Sequence, residues 1–486
     1  MSLRPVLALL LAATAVPVSA TTLQEALAQA YKTNPTINAA RAGQRANDEN
    51  DPILRSRGLP NLAGSSNFNQ TVINGQAQQQ QQQGFLGPTQ VLQSGVNLNV
   101  PIYQGGQIRN GLRAADLRIQ AGQSNLRDTE QSLFSQVVGA YMDVIRDGSI
   151  VSLNQANVRA LQVNLEATRD RFQVGDLTRT DVAQSESRLA LAQGQLEQAQ
   201  SQLINSREQY IRLVGVPAVD LQPPPPLPKL PGDPQSAVQL ALDANPGLAA
   251  ARGNRDASRY DVRAARAAFL PRVSVTGGYN NTNYLGSLTT SIPGLRLQQS
   301  QTGASVGVGL TLPLFQGGLP GAQVRQAQAR EQQAIEQQTE TERAVVAQVR
   351  AALAAYRASN EQIRSNQVAV DSARLSLEGV RAENTVGQRT ILDILNAEQE
   401  LLNAQVNLVS AKRNAYVAGF SLLAATGQAG ARDLGLGVDL YDPTTNARAA
   451  RRTIFDFRTG PTPAPIATRT VDTPAQTALV PPAPQQ

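Results

Sequence analysis

No proline occurs between Pro101 and Pro217, nor between Pro320 and Pro443. Elsewhere proline is frequent, 28 in 486 residues, so gaps of 115 and 122 residues depart sharply from its average spacing. Proline removes a helix hydrogen bond and clashes with the preceding turn, so long proline-free stretches are where long helices can run. As one helix, Gln107 to Val174 would span about 100 Å, and Leu177 to Val214 about 57 Å on the way back. No ordinary globular core needs such lengths, and the pattern predicts long helical hairpins. Apolar spacings of three and four alternate along them. Leu189, Ala192, Leu196, Ala199, Leu203 and Tyr210 form one stripe, and Leu401, Ala404, Leu408, Ala411, Ala415 and Leu422 repeat it 212 residues later. Small residues at seam positions let helices approach closely.

The stripe is one part of a duplication. "NPTINAAR" from Asn34 returns as "NPGLAAAR" from Asn245, and Leu59-Pro60 as Leu270-Pro271. "PIYQGG" from Pro101 returns as "PLFQGG" from Pro313, and "VGDLTRTD" from Val174 as "VGQRTILD" from Val386, every offset being 211 or 212. The expected organisation is a first unit over 21–216, a Pro-rich linker over 217–235 and a second unit over 236–430. A C-terminal segment over 431–460 and a Pro/Ala-rich tail over 461–486, expected to lack structure, complete the chain. Each unit opens on Asn-Pro, an N-cap followed by Pro at the first helical position. That helix is expected to run to Leu59-Pro60 or Leu270-Pro271.

Between the opening helix and the hairpin lies a stretch rich in Gly, Asn, Thr and Ser. In "SVGVGLTLPL", Val306, Val308, Leu310, Leu312 and Leu314 alternate with small or polar residues. Val96, Leu98, Val100 and Ile102 do the same in the first unit. Period two predicts strands, and a length near ten residues suits a tilted membrane-spanning strand as well as a soluble sandwich edge. Val273 to Asn281 and Asn61 to Ile73 are the weaker partners, so each unit holds two strands. Four strands cannot close a barrel, and open edges are not tolerated in lipid, so membrane strands would require oligomerisation.

Composition narrows the function. The chain has no Cys and no His, which removes thiolate and imidazole chemistry. A Ser–Lys dyad or a carboxylate-only metal site remains open, but an enzyme is disfavoured and no cofactor is expected. The net charge is +6, yet basic and acidic residues are interspersed and aromatics are 4%, which is no nucleic-acid footprint. Residues 1–20 read as an export signal: Arg4, an apolar run from Val6 to Val16, then Val18-Ser19-Ala20 as the cleavage site.

These motifs, in order and twice over, resemble the TolC-type outer-membrane channel family, as does "LGLGVDLYDP" from Leu434. The resemblance spans roughly residues 22 to 445. It implies an α+β membrane protein: a homotrimer whose four strands per chain make a twelve-stranded β-barrel in outer-membrane lipid, continued by a long periplasmic α-helical coiled-coil barrel. Such channels are the exit duct of tripartite efflux pumps or type I secretion systems. Their partners are a periplasmic adaptor and an inner-membrane transporter of RND, ABC or MFS type. A competing reading is a periplasmic coiled-coil structural or adaptor protein without its own pore.

The duplicated corners would then be periplasmic tips. Gly175 and Gly387 are expected to end the outgoing helices in the left-handed conformation. Asp181 and Asp393 are expected in the first turn of the returning helices, where the macrodipole favours an anion. The resemblance adds roles. Arg389 would reach the Thr180–Asp181 pair as a closure latch, with Asn384 where the family carries a Tyr. Asp393 would line the pore constriction, and Asn396 stands at the second constriction position, leaving one carboxylate ring. The plainer readings are a solvated tip pair, a dipole-complementing Asp and solvated charges in a wide opening. The Gln run near Gln80 reads as a tolerated loop insertion. Arg448, Arg451 and Arg452 form a basic cluster beside the tail.

Overall fold

A computed structural model of the chain describes residues 21–72, 85–86, 88–290, 292–457, 459–464 and 468–479. The expected export signal and the Gln run near Gln80 lie outside the described residues. The first unit runs α1 (Leu23–Thr33), α2 (Pro35–Asp48), α3 (Asn50–Ser56), β1 (Asn61–Gln70), β2 (Phe85–Leu86), β3 (Gln90–Gln104), α4 (Gln107–Gln173) and α5 (Arg179–Val214). The second repeats the order as α6 (Pro234–Ala244), α7 (Pro246–Arg266), β4 (Arg272–Asn283), β5 (Thr289–Thr290), β6 (Ser300–Thr311), α8 (Leu319–Thr385) and α9 (Ile391–Ala425). A short α10 (Pro443–Arg452) follows.

The two long outgoing helices, α4 and α8, have 67 residues each, about 100 Å. Each turns back into a shorter partner, α5 or α9, as the proline gaps predict. Asn34 caps α2 by accepting from Thr36 N at 2.8 Å, and its amide donates to Leu213 O at 2.8 Å. Asn245 does the same for α7 and Ala425 O. Both copies thus tie their opening helix to the end of their own hairpin. The expected single helix up to Leu59 is broken after Asp48. Pro52 is the cause, since its ring clashes with the carbonyl four residues earlier. The second unit has no proline there, and α7 runs unbroken.

The four long strands form one antiparallel sheet in the order β1-β3-β4-β6. Register places Val100 opposite Val275 and Val275 opposite Val308, with Val273 opposite Leu310. This gathers the apolar residues on one face, where Val306 and Val308 stay 86% and 74% exposed in a single protomer. Among the described residues, nothing pairs with the outer edges of β1 and β6. β6 stops at Thr311, short of Leu314, because Pro313 has no N–H for the ladder. The sequence pattern did not announce β2 and β5, which pair as a small ribbon between the two inter-strand loops.

The main core is a belt around the upper hairpins. Phe134, Val137 and Tyr141 of α4 meet Leu203 and Tyr210 of α5, Leu27 of α1, Phe420 and Leu423 of α9, and Leu436 of the C-terminal segment. Tyr141 Oη donates to Gln222 O at 2.6 Å, which straps the Pro-rich linker onto the belt. Of the basic cluster, Arg451 is an internal tie that pairs with Asp51 and Asp116. The described tail has neither helix nor strand, yet the Arg207 guanidinium on α5 holds the carbonyls of Thr477 and Leu479. Among the described residues, no helix is long and apolar enough to cross a membrane.

Candidate functional site at the hairpin tips

The two tips are built alike. Gly175 and Gly387 adopt φ of +81° and +78° just past the ends of α4 and α8. Nothing lies within 4 Å of a Cβ built at either, so glycine is needed for the backbone and not for space. Three residues later Thr178 and Thr390 cap the returning helices. Asp181 Oδ2 accepts from Thr178 N at 2.9 Å and from its hydroxyl at 2.7 Å, and Thr178 Oγ1 accepts from Asp181 N at 3.3 Å. Asp393 and Thr390 repeat this at 2.9, 2.8 and 3.3 Å. Each tip is therefore a capping box with Asp in place of Glu. Replacing Gly387 by Ala should cost about 1–2 kcal/mol, the usual penalty for a left-handed L residue. Faster amide exchange at residues 391–394 would report it, and unchanged exchange would refute it.

These bonds hold both carboxyls below their ordinary pKa. For Asp181 the Thr178 hydroxyl is the largest cause, followed by its N–H. For Asp393 the Thr390 N–H comes first, then the hydroxyl, and the Arg389 charge adds a smaller lowering. A depressed carboxyl stabilises the fold above its unfolded pKa, and that contribution is lost as pH falls through the lower folded value. The caps should therefore persist to pH below the usual 3.8 of aspartate.

Arg389 lies in the second tip, with Nε donating to Glu383 at 2.7 Å. That bond raises its pKa. Asn384 closes the same tip by donating to Arg389 O at 2.7 Å. Within one protomer, among the described residues, Arg389 and Asp181 form no ion pair. Thr180 sits in the first turn of α5, beside Asp181.

Above the tips the two hairpins are joined at a place the sequence reading missed. Leu395 of α9, 2% exposed, inserts between Val158 and Leu161 of α4 and Ala192 of α5. On either side lie polar ties. Asn396 accepts from Arg188 of α5 at 2.8 Å. Glu398, 6% exposed, accepts from Asn164 of α4 at 2.8 and 2.9 Å and from Arg381 of α8 at 2.8 Å. A carboxylate so buried is stable only when paired and hydrogen-bonded. The available signal was the pair Arg169 and Glu186, which Arg381 and Glu398 repeat 212 residues on.

The family model described as "Outer membrane efflux protein" matches residues 26–216 and 237–428, one match per unit. The chain belongs to the outer membrane efflux protein family. It is 34% identical to outer membrane efflux protein BepC of Brucella suis over 90% of this chain and 92% of that one. It is 27% identical to outer membrane protein TolC of Escherichia coli over 85% and 83% of the two chains. Its fold matches the Campylobacter jejuni CmeC outer membrane channel with a TM-score of 0.74 at 20% identity, covering 88% of this chain and 89% of that one. As a family member it is an outer-membrane channel of the efflux and secretion type, with a large periplasmic portion. Its fold is that of a TolC-type protomer, twice repeated, and the pore-less coiled-coil reading falls away.

Proposed function

We propose that three copies of this chain close one exit duct, and that the tips derived above are its periplasmic gate. The observation that carries this is the single sheet with an apolar outer face and two open edges. In lipid every ladder group must be paired, so β1 of one copy has to meet β6 of the next. Each chain brings two hairpins, and three chains set six around one axis. Arg389 of one tip and the Thr180–Asp181 pair of another form the latch. Engagement by a periplasmic adaptor and an inner-membrane transporter of RND, ABC or MFS type releases it. The same duct serves efflux or type I secretion according to the transporter attached. The unit boundaries given above serve this assembly: the hairpins are the tunnel, and the linker and segment 431–460 are its belt.

Asp393 supplies the charge at the constriction. Three symmetry-related carboxylates around an opening favour cations. Asn396 adds no second ring, and its amide oxygen is engaged by Arg188. The expected behaviour of purified trimers in a planar bilayer is a small, cation-preferring conductance. Asp393→Asn should shift the reversal potential in a KCl gradient toward zero. An unchanged reversal potential would remove Asp393 from the pore.

A further inference from the structure

A cavity of about 490 Å³ opens beside the belt core, where α1, α2, α4 and the start of α7 meet the C-terminal segment. That volume is within the range of small-ligand pockets. Every wall comes from one chain. Ile37, Leu126 and Leu440 make part of the lining apolar, and the rings of Tyr31 and Tyr441 add two flat surfaces.

Arg41 of α2 is the centre of its polar lining. Its guanidinium carbon stands 4.3 Å from the centre of the Tyr31 ring and 5.2 Å from that of Tyr441. Nη1 donates to Asn38 at 3.0 Å. Nη2 is buried and has no hydrogen-bond partner, and the same holds for Tyr441 Oη. Buried donors without acceptors are rare and costly, and two of them beside one cavity point to a missing acceptor. Arg127 and Arg432, also in the lining, are exposed and take no ion pair among the described residues. The carboxylates of the same lining are already engaged. Glu130 accepts from Ala431 N at 2.5 Å, Asp433 from Gly430 N at 3.3 Å, and Asp442 from Thr444 N at 2.9 Å. The cavity therefore offers donors in excess of its own acceptors.

We propose that this cavity binds a small organic monoanion, a carboxylate on a flat apolar body, with Arg41 and Tyr441 taking the carboxylate and Ile37, Leu126 and Leu440 the body. Arginine pairs with a carboxylate through parallel hydrogen bonds, which a neutral head group cannot match. Arg41 has no ion pair to break among the described residues, so its guanidinium can turn on its stem and present Nη2 to the ligand. Glu130 limits the charge of the occupant. Burial raises its pKa, and a dianion such as phosphate would meet it as a like charge. An occupant touches α2, α4 and the C-terminal segment together, so binding should stabilise the belt by mass action. The site needs neither the closed trimer nor the Arg389–Asp181 latch.

Benzoate is the probe, with benzyl alcohol and inorganic phosphate as its neutral and its body-less counterparts. Each is titrated by calorimetry into the purified full chain in detergent, and the thermal midpoint is followed in parallel. Benzoate should bind saturably at millimolar concentrations and raise the midpoint, and the other two should bind more weakly. Tyr441→Phe, which removes only the hydroxyl, should weaken benzoate about threefold to tenfold. Arg41→Gln should weaken it by at least about tenfold, as the loss of hydrogen bonds to a charged group implies. Absence of saturable benzoate binding to the wild-type chain would overturn the site. Equal binding of benzyl alcohol would overturn the carboxylate, and equal binding of phosphate would overturn the apolar body. Unchanged benzoate affinity in Tyr441→Phe and in a folded Arg41→Gln chain would place the ligand elsewhere and overturn the assignment.

Discussion

Asp181→Ala combined with Arg389→Ala should raise single-channel conductance several-fold in a planar bilayer. The geometry leaves the needed atoms available. Arg389 spends Nε on Glu383, and a guanidinium has further donors in the same plane. Asp181 takes both Thr178 bonds on Oδ2, and its second carboxylate oxygen can accept from another partner. An exposed pair of this kind contributes little by itself, because solvent screens it. Three such pairs per ring act on the same open–closed equilibrium, so their small contributions add. Arg389→Ala alone should give much of the effect, because it leaves the Thr178–Asp181 cap intact. The effect should shrink at molar salt, where the Debye length falls to about 3 Å. Unchanged conductance in double-variant trimers would remove these residues from the gate.

Phe134→Ala should destabilise the belt by about 3–5 kcal/mol, the range for deleting a buried aromatic. Phe134 is 0% exposed in the main core, with its ring centroid 6.2 Å from that of Tyr31. Four segments meet there: α1, both arms of the first hairpin, and the C-terminal end of α9 with the chain that follows. A void at this point loosens the connection between the opening helix and the hairpins as well as local packing. A lower thermal midpoint and a lower yield of assembled trimer are expected. Phe172→Ala at the tip, where the ring is 43% exposed, is the control and should change neither much. Equal effects from the two would mean that the belt core does not carry stability.

Several elements of this protein were readable before any coordinates. Proline gaps located four long helices, and Asn-Pro dipeptides located the helix starts. Period-two alternation found the main strands, and the paired Gly and Asp of "VGDLTRTD" and "VGQRTILD" located two matching tips. These are local rules: a proline, a cap or an alternation acts through residues a few positions away. Even the break after Asp48 has such a cause in Pro52, although the reading passed over it.

Pairing between distant segments was decided only by the tertiary structure. The ribbon of β2 and β5 depends on two loops about 200 residues apart meeting at one end of the sheet. Within the second tip, Arg389 chose Glu383, which no helix period indicates. Arg169 with Glu186 and Arg381 with Glu398 are the same pair in sequence, at the same spacing across the same kind of hairpin. One carboxylate stays in solvent, and the other is buried against Asn164. Sequence by itself determined the hairpin. Which face of that hairpin meets another hairpin is set by packing across the whole protomer, because burial depends on the neighbour and a periodic stripe does not name its neighbour.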